Sequence, residues 1–381
     1  LFMPEQLPEK LLAVLQLAQR FVASEIVPRN ERLAHDETLA ALGAEVREAA
    51  KAAGFFYKTQ PAEFGGSPAG TLELTMLREY WASLNSELTR FIFGPGPGVL
   101  HEATGELATQ FLIPVMAGEK RGAFGFTEPD NAPRPTWAVL THDELTLNGQ
   151  KSYVTGGETA DFLSILVNVE DADGAKLGTA MVVVDRKADG VILEDTFRSM
   201  EGGGHGAFRF DAVKVPSWQM IGKLGEGMPR ALANIGNVRL MVAAEAMGMS
   251  LWTLDYLNQH LLAPHRTGSP LGDKEGVRLR YADLRIQAFA GRSVLYRAAR
   301  RADGPGNSVN EVIAAKVFCT EVAGTIVDWA VQLVGGQALV VGHPLEALYR
   351  RVRSLRLVEG ANDLLRLNLA KGNLELGKGD L

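Results

Sequence analysis

Apolar residues recur at positions 11, 12, 15, 17, 18, 21, 22, 26 and 27 of "LPEKLLAVLQLAQRFVASEIVP", close to the helical period. Pro28 follows, where such a helix is expected to stop. "ETLAALGAEVREAAKAAG" repeats the pattern and ends at Gly54, a natural C-cap. "GTLELTMLREYWASLN" and "VLHEATGELATQFLIPVMAGE" keep the helical texture, interrupted by "GPGPG" at 94–98. From about Ala123 the texture becomes strand-like. "DELTLNGQKSYVTGG" carries Asn148-Gly149 between two β-rich runs, a hairpin signal. "DFLSILVNVED", "GTAMVVVDRKADGVILEDTF" and "GAFRFDAVKVPS" add strands. From Gly225 onward three long apolar-rich segments and the closing "ANDLLRLNLAKGNLELG" read as a bundle packed along its length. The expected fold is a multidomain α+β protein. An N-terminal helical domain covers 1–122, a middle β domain 123–222 and a C-terminal four-helix bundle 223–381.

Composition narrows the function. The 381 residues are 46% hydrophobic and 22% charged, ordinary globular usage that supports a sizeable core. A net charge of −6 argues against a general nucleic-acid or anionic-membrane binder. The one cysteine, Cys319, excludes an intrachain disulfide and lies in the apolar helical run "AAKVFCTEVAG", so it reads as a buried, inert thiol. His260 and His265 are the closest histidine pair, but Pro264 intervenes, and no metal site is assigned. No apolar run is expected to span a membrane, and a cytoplasmic location of bacterial type is the default. The chain begins at Leu1, so a removed targeting segment would be invisible here. No strand–GxGxxG–helix unit and no G-x-S-x-G elbow occurs. "EGGGHG" at 201–206 lies between strands and reads as a flexible hairpin loop.

Four stretches resemble, in order, motifs of the acyl-CoA dehydrogenase family: "FGFTEPD" (124–130), "LNGQKSYVTGG" (147–157), "FDAVKVP" (210–216) with "IGKLGEG", and "QLVGGQALVVGHPLEALYRRVRSLRLVEGA". The resemblance implies FAD, bound between the β domain and the bundle and completed by a second subunit of a dimer-of-dimers tetramer. It implies α,β-dehydrogenation of an acyl thioester such as acyl-CoA, with an electron-transfer flavoprotein as acceptor. The chemistry requires a base within reach of a weakly acidic α-carbon, and a carboxylate serves best when apolar surroundings raise its pKa. Glu359 matches the glutamate of the family's Tyr-Glu-Gly-Thr motif, its catalytic base in most members. Leu357 and Val358 are expected to wall it off from water, with Gly360 allowing close backbone approach. The alternative base position of some members corresponds to Val238, which cannot serve. The resemblance further assigns Phe126, Thr127, Tyr153 and Thr155 to the flavin ring, Arg266, Gln332, Gly335 and Gly336 to the rest of FAD, and Arg239 to the CoA side.

Departures cluster on the diphosphate and CoA sides. After Thr-Glu-Pro the chain carries Asp130, Asn131, Ala132, Pro133 and Arg134, so a proline replaces a serine donor. Pro264 takes an arginine position, Arg266 is shifted by two, and Glu275 replaces a glutamine. Gly236 and Ala361 replace an aspartate and a threonine. These leave two other functions open: a flavin oxidase or monooxygenase on the same scaffold, and a weakly active partner subunit of a heteromer.

Overall fold

The computed structural model describes Met3 and residues 5–377, apart from Thr267. The chain divides into two compact units. One comprises residues 1–58, 68–93 and 236–381; the other comprises 59–67 and 94–235.

The helical unit opens with α1 (Glu9–Phe21), a π-helical turn (Val22–Ile26) and α2 (Val27–Ala34). The helix therefore continues past Pro28 instead of stopping there. Proline lacks the N–H that an i→i−4 ladder needs, and the wider π turn just before it absorbs the misfit. The sheet-containing unit repeats the device. There α5 (Gly105–Leu107), a π turn (Ala108–Leu112) and α6 (Ile113–Ala117) carry Pro114 two residues past the π turn.

In the helical unit, α3 (Leu39–Ala52) and α4 (Thr71–Ala82) are joined by the long α7 (Gly227–Leu262), which begins in the other unit, α8 (Glu275–Asp303), α9 (Val309–Val334), α10 (Pro344–Ser354) and α11 (Asn362–Leu374). Their apolar faces form one core that includes Leu42, Met76, Leu77, Ala243, Met247, Leu295, Cys319 and Leu348. Cys319 is fully buried, burial pushes its thiol pKa up, and its Sγ donates to the Gly291 carbonyl at 3.3 Å. The sharpest electrostatic feature of this core is Glu79, which is wholly buried. It accepts from Arg292 Nε and Nη2 at 2.6 and 2.9 Å and from the Tyr296 hydroxyl at 2.7 Å.

Two helical stretches, Glu9–Ala34 and Val309–Val334, are long and apolar enough to cross a membrane by length and composition alone, a test that the buried core helix of a globular protein also passes. The composition of α9 has a local cause. Ile313, Ala315, Val317, Cys319, Val322, Ala323, Ile326, Val327 and Ala330 are all buried against neighbouring helices.

In the other unit, eight strands form one sheet: β1 (Gly122–Gly125), β2 (Trp137–Thr141), β3 (Glu144–Thr155), β4 (Phe162–Glu170), β5 (Lys176–Asp185), β6 (Val191–Arg198), β7 (Gly204–Pro216) and β8 (Met220–Ile221). Their order is β6-β7-β3-β2-β4-β5-β8, with β1 alongside β4. Asn148-Gly149 is not a hairpin turn. β3 runs straight through it, and the β3–β7 register shifts between Leu147 and Gly149. Asn148 Oδ1 instead accepts from the Ala212 N–H of β7 at 2.9 Å. Gly149 has φ +131°, and a Cβ there would lie 2.6 Å from Thr136 Cα, so the glycine permits close approach of the residue that leads into β2. The Gly-rich stretch 201–206 spans the β6–β7 turn and the first residues of β7.

Removing Arg292 as Arg292→Leu leaves Glu79 buried and charged beside Tyr296. A stability loss of about 3–5 kcal/mol is expected in urea unfolding, because the partner of a buried ion pair is stranded. A loss below about 1 kcal/mol would show that Glu79 finds water or protonates at little cost.

Candidate active site

Glu359 lies in the turn between α10 and α11, two residues before the N-cap Ala361, and not in a helical first turn. The turn is pinned from both ends. Leu345, Leu348 and Val352 bury α10, and Asn362 N donates to the Arg356 carbonyl at 2.9 Å. Arg356 crosses α9 at Gly324, where a Cβ would lie 2.1 Å from its Nη2; only a residue without a side chain admits that crossing. The chain then takes two successive left-handed conformations, Glu359 at φ +56° and Gly360 at φ +100°. For glycine this is ordinary. For glutamate it is uncommon and disfavoured, so the surroundings must hold it.

Two cations do so from distant helices. Arg239 of α7 donates through Nε to the Glu359 carbonyl at 3.0 Å. Lys316 of α9, fully buried, donates through Nζ to the Gly360 carbonyl and to Asn362 Oδ1, each at 2.9 Å. Asn362 is itself anchored, its Nδ2 donating to Thr320 Oγ1 at 3.0 Å and to Glu321 Oε1 at 3.3 Å. The cations thus bind the backbone around Glu359. Among the described residues, its carboxyl oxygens make no hydrogen bond and no ion pair.

Burial raises the Glu359 pKa above the ordinary carboxylate value, while Arg239 and Lys316 pull against it without reversing the direction. Burial lowers the Arg239 pKa, with Glu359 opposing. The Lys316 ammonium is pushed down to about 8, chiefly by burial and then by Arg239, against the pull of Glu359 and Glu321. The expected apolar wall is absent. Leu357 and Val358 are 58% and 38% exposed on the outer side of the turn. The carboxyl is desolvated by the seating of the turn against α7 and α9.

A second group lies on the sheet. Phe126 is half-buried and stacks on Phe124 with centroids 6.1 Å apart, and its carbonyl accepts from Lys151 Nζ at 3.2 Å. Thr127 is exposed, and its carbonyl accepts from Ser152 N at 2.9 Å. Tyr153 sits at the β3 irregularity with φ +54° and a ring 64% exposed, edge-on to Phe197 at 5.2 Å. The strand is anchored beneath it by Lys151, which is 1% exposed and donates to Glu128 Oε1 at 2.8 Å. Thr155 Oγ1 shares a hydrogen bond with His205 Nδ1 at 3.2 Å, and His205 Nε2 shares one with Ser199 Oγ at 3.1 Å. Ser152 Oγ is buried without a partner. The Thr155 hydroxyl, the exposed Tyr153 ring and the orphaned Ser152 hydroxyl on β3, with Thr127 bonded alongside, suit a planar, polar-edged ligand.

The remaining candidates are dispersed. Gln332 is exposed on α9. Gly335, at φ +83°, caps that helix through its N–H to the Val331 carbonyl at 2.9 Å, and Gly336 begins the following 3-10 turn. Arg266 is exposed in the α7–α8 loop, whose Thr267 lies outside the described residues. Arg134 pairs with Glu170 and covers the Trp137 ring at 4.3 Å, so it has a local role. Among the described residues no cluster of three or more His, Cys, Asp or Glu suits a metal ion. Sequence reasoning missed Lys316 and His205. Lys316 is a single charge inside an apolar helical run, and that was its signal. His205 was hidden in a Gly-rich loop.

Comparison with known proteins places these residues in context. Residues 225–374 match the acyl-CoA dehydrogenase C-terminal domain, and residues 8–119 match the N-terminal domain. The chain is 27% identical to a 3-(aryl)acrylate reductase of Clostridium sporogenes, over 95% of this chain and 98% of that protein. It is 26% identical to the caffeyl-CoA reductase-Etf complex subunit CarC of Acetobacterium woodii, over 92% and 94%. Its fold is like that of butyryl-CoA dehydrogenase from Megasphaera elsdenii, with a TM-score of 0.79 and 22% identity over 97% of this chain and 100% of that one.

Gly360→Ala tests the turn. A Cβ there would lie 3.2 Å from Leu365 Cδ2 and 3.5 Å from Arg239 Nη2, on a backbone that L side chains rarely adopt. A loss of about 1–3 kcal/mol in chemical denaturation is expected. Unchanged stability would mean that the left-handed pair is not strained.

Proposed function

The chain belongs to the acyl-CoA dehydrogenase family, and on that premise we propose that it is an FAD-dependent oxidoreductase acting on the Cα–Cβ bond of an acyl thioester, with Glu359 moving the α-proton. The observation that carries this reading is the state of Glu359: half-buried, left-handed and, among the described residues, free of any ion pair although two cations lie beside it. A carboxylate bridged by Arg239 or Lys316 would be held ionised and hydrogen-bonded, a poor base. A carboxyl with a raised pKa and unoccupied oxygens can accept a proton from carbon.

Thr127, Tyr153 and Thr155 fit the ring system of FAD, with Ser152 Oγ available to a polar edge. Arg266, Gln332, Gly335 and Gly336 would meet its remainder, in part from a second subunit. Bound FAD supplies two-electron chemistry at the β-carbon. The chain's own part is to hold the thioester and to exchange one proton at the Glu359 carboxyl. Arg239, oriented by its bond to the Glu359 carbonyl, would face the CoA portion.

Both directions use the same acid. α,β-Dehydrogenation needs Glu359 ionised; reduction of an enoyl thioester needs it protonated. The reductases among the relatives support keeping both. Leu339, Val340 and Val341 are 69%, 62% and 86% exposed just after Gly336, and they support assembly as a homotetramer or with a related subunit. An electron-transfer flavoprotein is the proposed electron partner, a location in the cytoplasm the proposed setting, and fatty-acid metabolism the proposed context.

The first test is spectroscopic. The purified protein should carry yellow FAD that bleaches anaerobically with one of a panel of acyl-CoAs. Glu359→Gln should keep the flavin and slow bleaching by at least about 10²-fold. Undiminished bleaching would remove Glu359 from the mechanism, and rapid reoxidation by air would favour an oxidase.

The pH dependence has a definite sign. Because burial raises the Glu359 pKa, dehydrogenation should fall as pH drops through a value above the ordinary carboxylate range. Enoyl reduction should fall as pH rises through it. Rate profiles of the two directions with the same slope would show that another group carries the proton.

A further inference from the structure

We propose that Lys316 is a positioning residue for Glu359. Its buried ammonium grips the Gly360 carbonyl and the Asn362 side chain, holds the turn in its left-handed shape, and sets the charge environment in which Glu359 works. The inference rests on the reading of Glu359 as the proton-transfer group.

Geometry is the main support. Lys316 is fully buried in α9, in an otherwise apolar run, which is costly for a cation unless its donors are engaged. Two of its three N–H donors bond the residues immediately after Glu359 and at the start of α11, both at 2.9 Å. The sequence separations of 44 and 46 residues mean that the contacts exist only in the folded bundle. Asn362, the second acceptor, is fixed in turn by Thr320 and Glu321 one helical turn further along α9. The grip therefore runs from one rigid helix to one short turn, and Glu359 is the residue whose conformation it fixes.

The charges around the turn come from every packed element. α7 contributes Arg239 and α9 contributes Lys316 and Glu321. α11 contributes Asp363 and Arg366, the latter paired with Glu321 at 2.6 Å, and the turn itself contributes Arg356. Of the cations, Arg366 has a carboxylate partner, and Arg239 and Lys316 are the two that act on Glu359. Removing the Lys316 charge leaves Glu359 with less compensation, so its pKa must rise further. Lys316 itself, pushed down to about 8, gives up its charge within the working range, so the two titrations are coupled.

Lys316→Met replaces the ammonium with an apolar chain of similar length. The first measurement is the carboxyl titration of Glu359 in carboxyl-labelled protein, assigned by the signal that disappears in Glu359→Gln. The second is solvent-deuterium exchange at the α-carbon of acetyl-CoA, a thioester with α-protons and no β-carbon to oxidise. In Lys316→Met the Glu359 midpoint should move to higher pH. Exchange should be about tenfold slower at pH 6 and within about threefold of the unaltered protein at pH 9. Superimposable titration and exchange curves would overturn the proposal. Exchange that is absent from the unaltered protein as well would instead sink the acid–base reading, while the titration arm still decides on Lys316. Should Lys316→Met fail to fold, Asn362→Ala takes its place. Amide hydrogen exchange at position 362, whose N–H bonds the Arg356 carbonyl across the turn, is then expected to quicken about tenfold, and unchanged protection refutes the grip.

Discussion

A carboxylate withheld from ion pairing is the constraint on which the helical half of this protein turns. Arg239 and Lys316 both lie close enough to influence Glu359, yet each bonds a backbone carbonyl of the turn and not the acid. That arrangement separates two effects that a salt bridge would merge. The positive charges lessen the cost of ionising a half-buried group, while its oxygens stay free to accept or give a proton. Had either cation bridged the carboxylate, its pKa would have dropped and its lone pairs would have been occupied. The arrangement depends on close packing far from the acid. Gly324 admits Arg356 against α9, and Leu345, Leu348 and Val352 fix α10 in the core.

The sheet shows the same habit of storing an awkward conformation beside chemistry-bearing residues. Tyr153 takes φ +54° where β3 slips register against β7 between Lys151 and Val154. A bulge re-aims the side chains that follow it, and here it leaves the Tyr153 ring exposed. The adjoining Lys151, buried and bonded to Glu128, keeps the strand in place, much as Lys316 keeps the Glu359 turn. Burial lowers the Lys151 pKa, and the Glu128 partner opposes that fall. In both places a buried lysine is bonded close to a left-handed residue.

How much of this was legible in the sequence depends on how local each cause is. The bundle was legible because its signal is long. The apolar pattern of Gly227–Leu262 persists over ten turns and leaves few alternatives. Asn148-Gly149 was misread because the dipeptide signals a need for φ > 0, which a bulge meets as well as a hairpin does. Pro28 was misread because the π turn that accommodates it has no sequence signature of its own. Glu359 stood out only through its motif. Its physical partners lie 120 residues away in α7 and 43 residues away in α9, so no local pattern could have shown them. Lys316 escaped for the converse reason: a single lysine in an apolar stripe is easily averaged into the stripe.

Reaction direction is not set by this geometry. An acid that must deprotonate carbon in one direction reprotonates it in the other, by microscopic reversibility, through the same carboxyl. Burial raises the Glu359 pKa and two nearby cations restrain that rise, whereas a direct bridge would hold the group ionised. Nothing in the α7–α9–α11 contacts therefore distinguishes a dehydrogenase from an enoyl reductase. The distinction belongs to the potential of the electron partner and to the substrate offered. A family built on this turn can then include proteins that run the bond change either way without altering the acid.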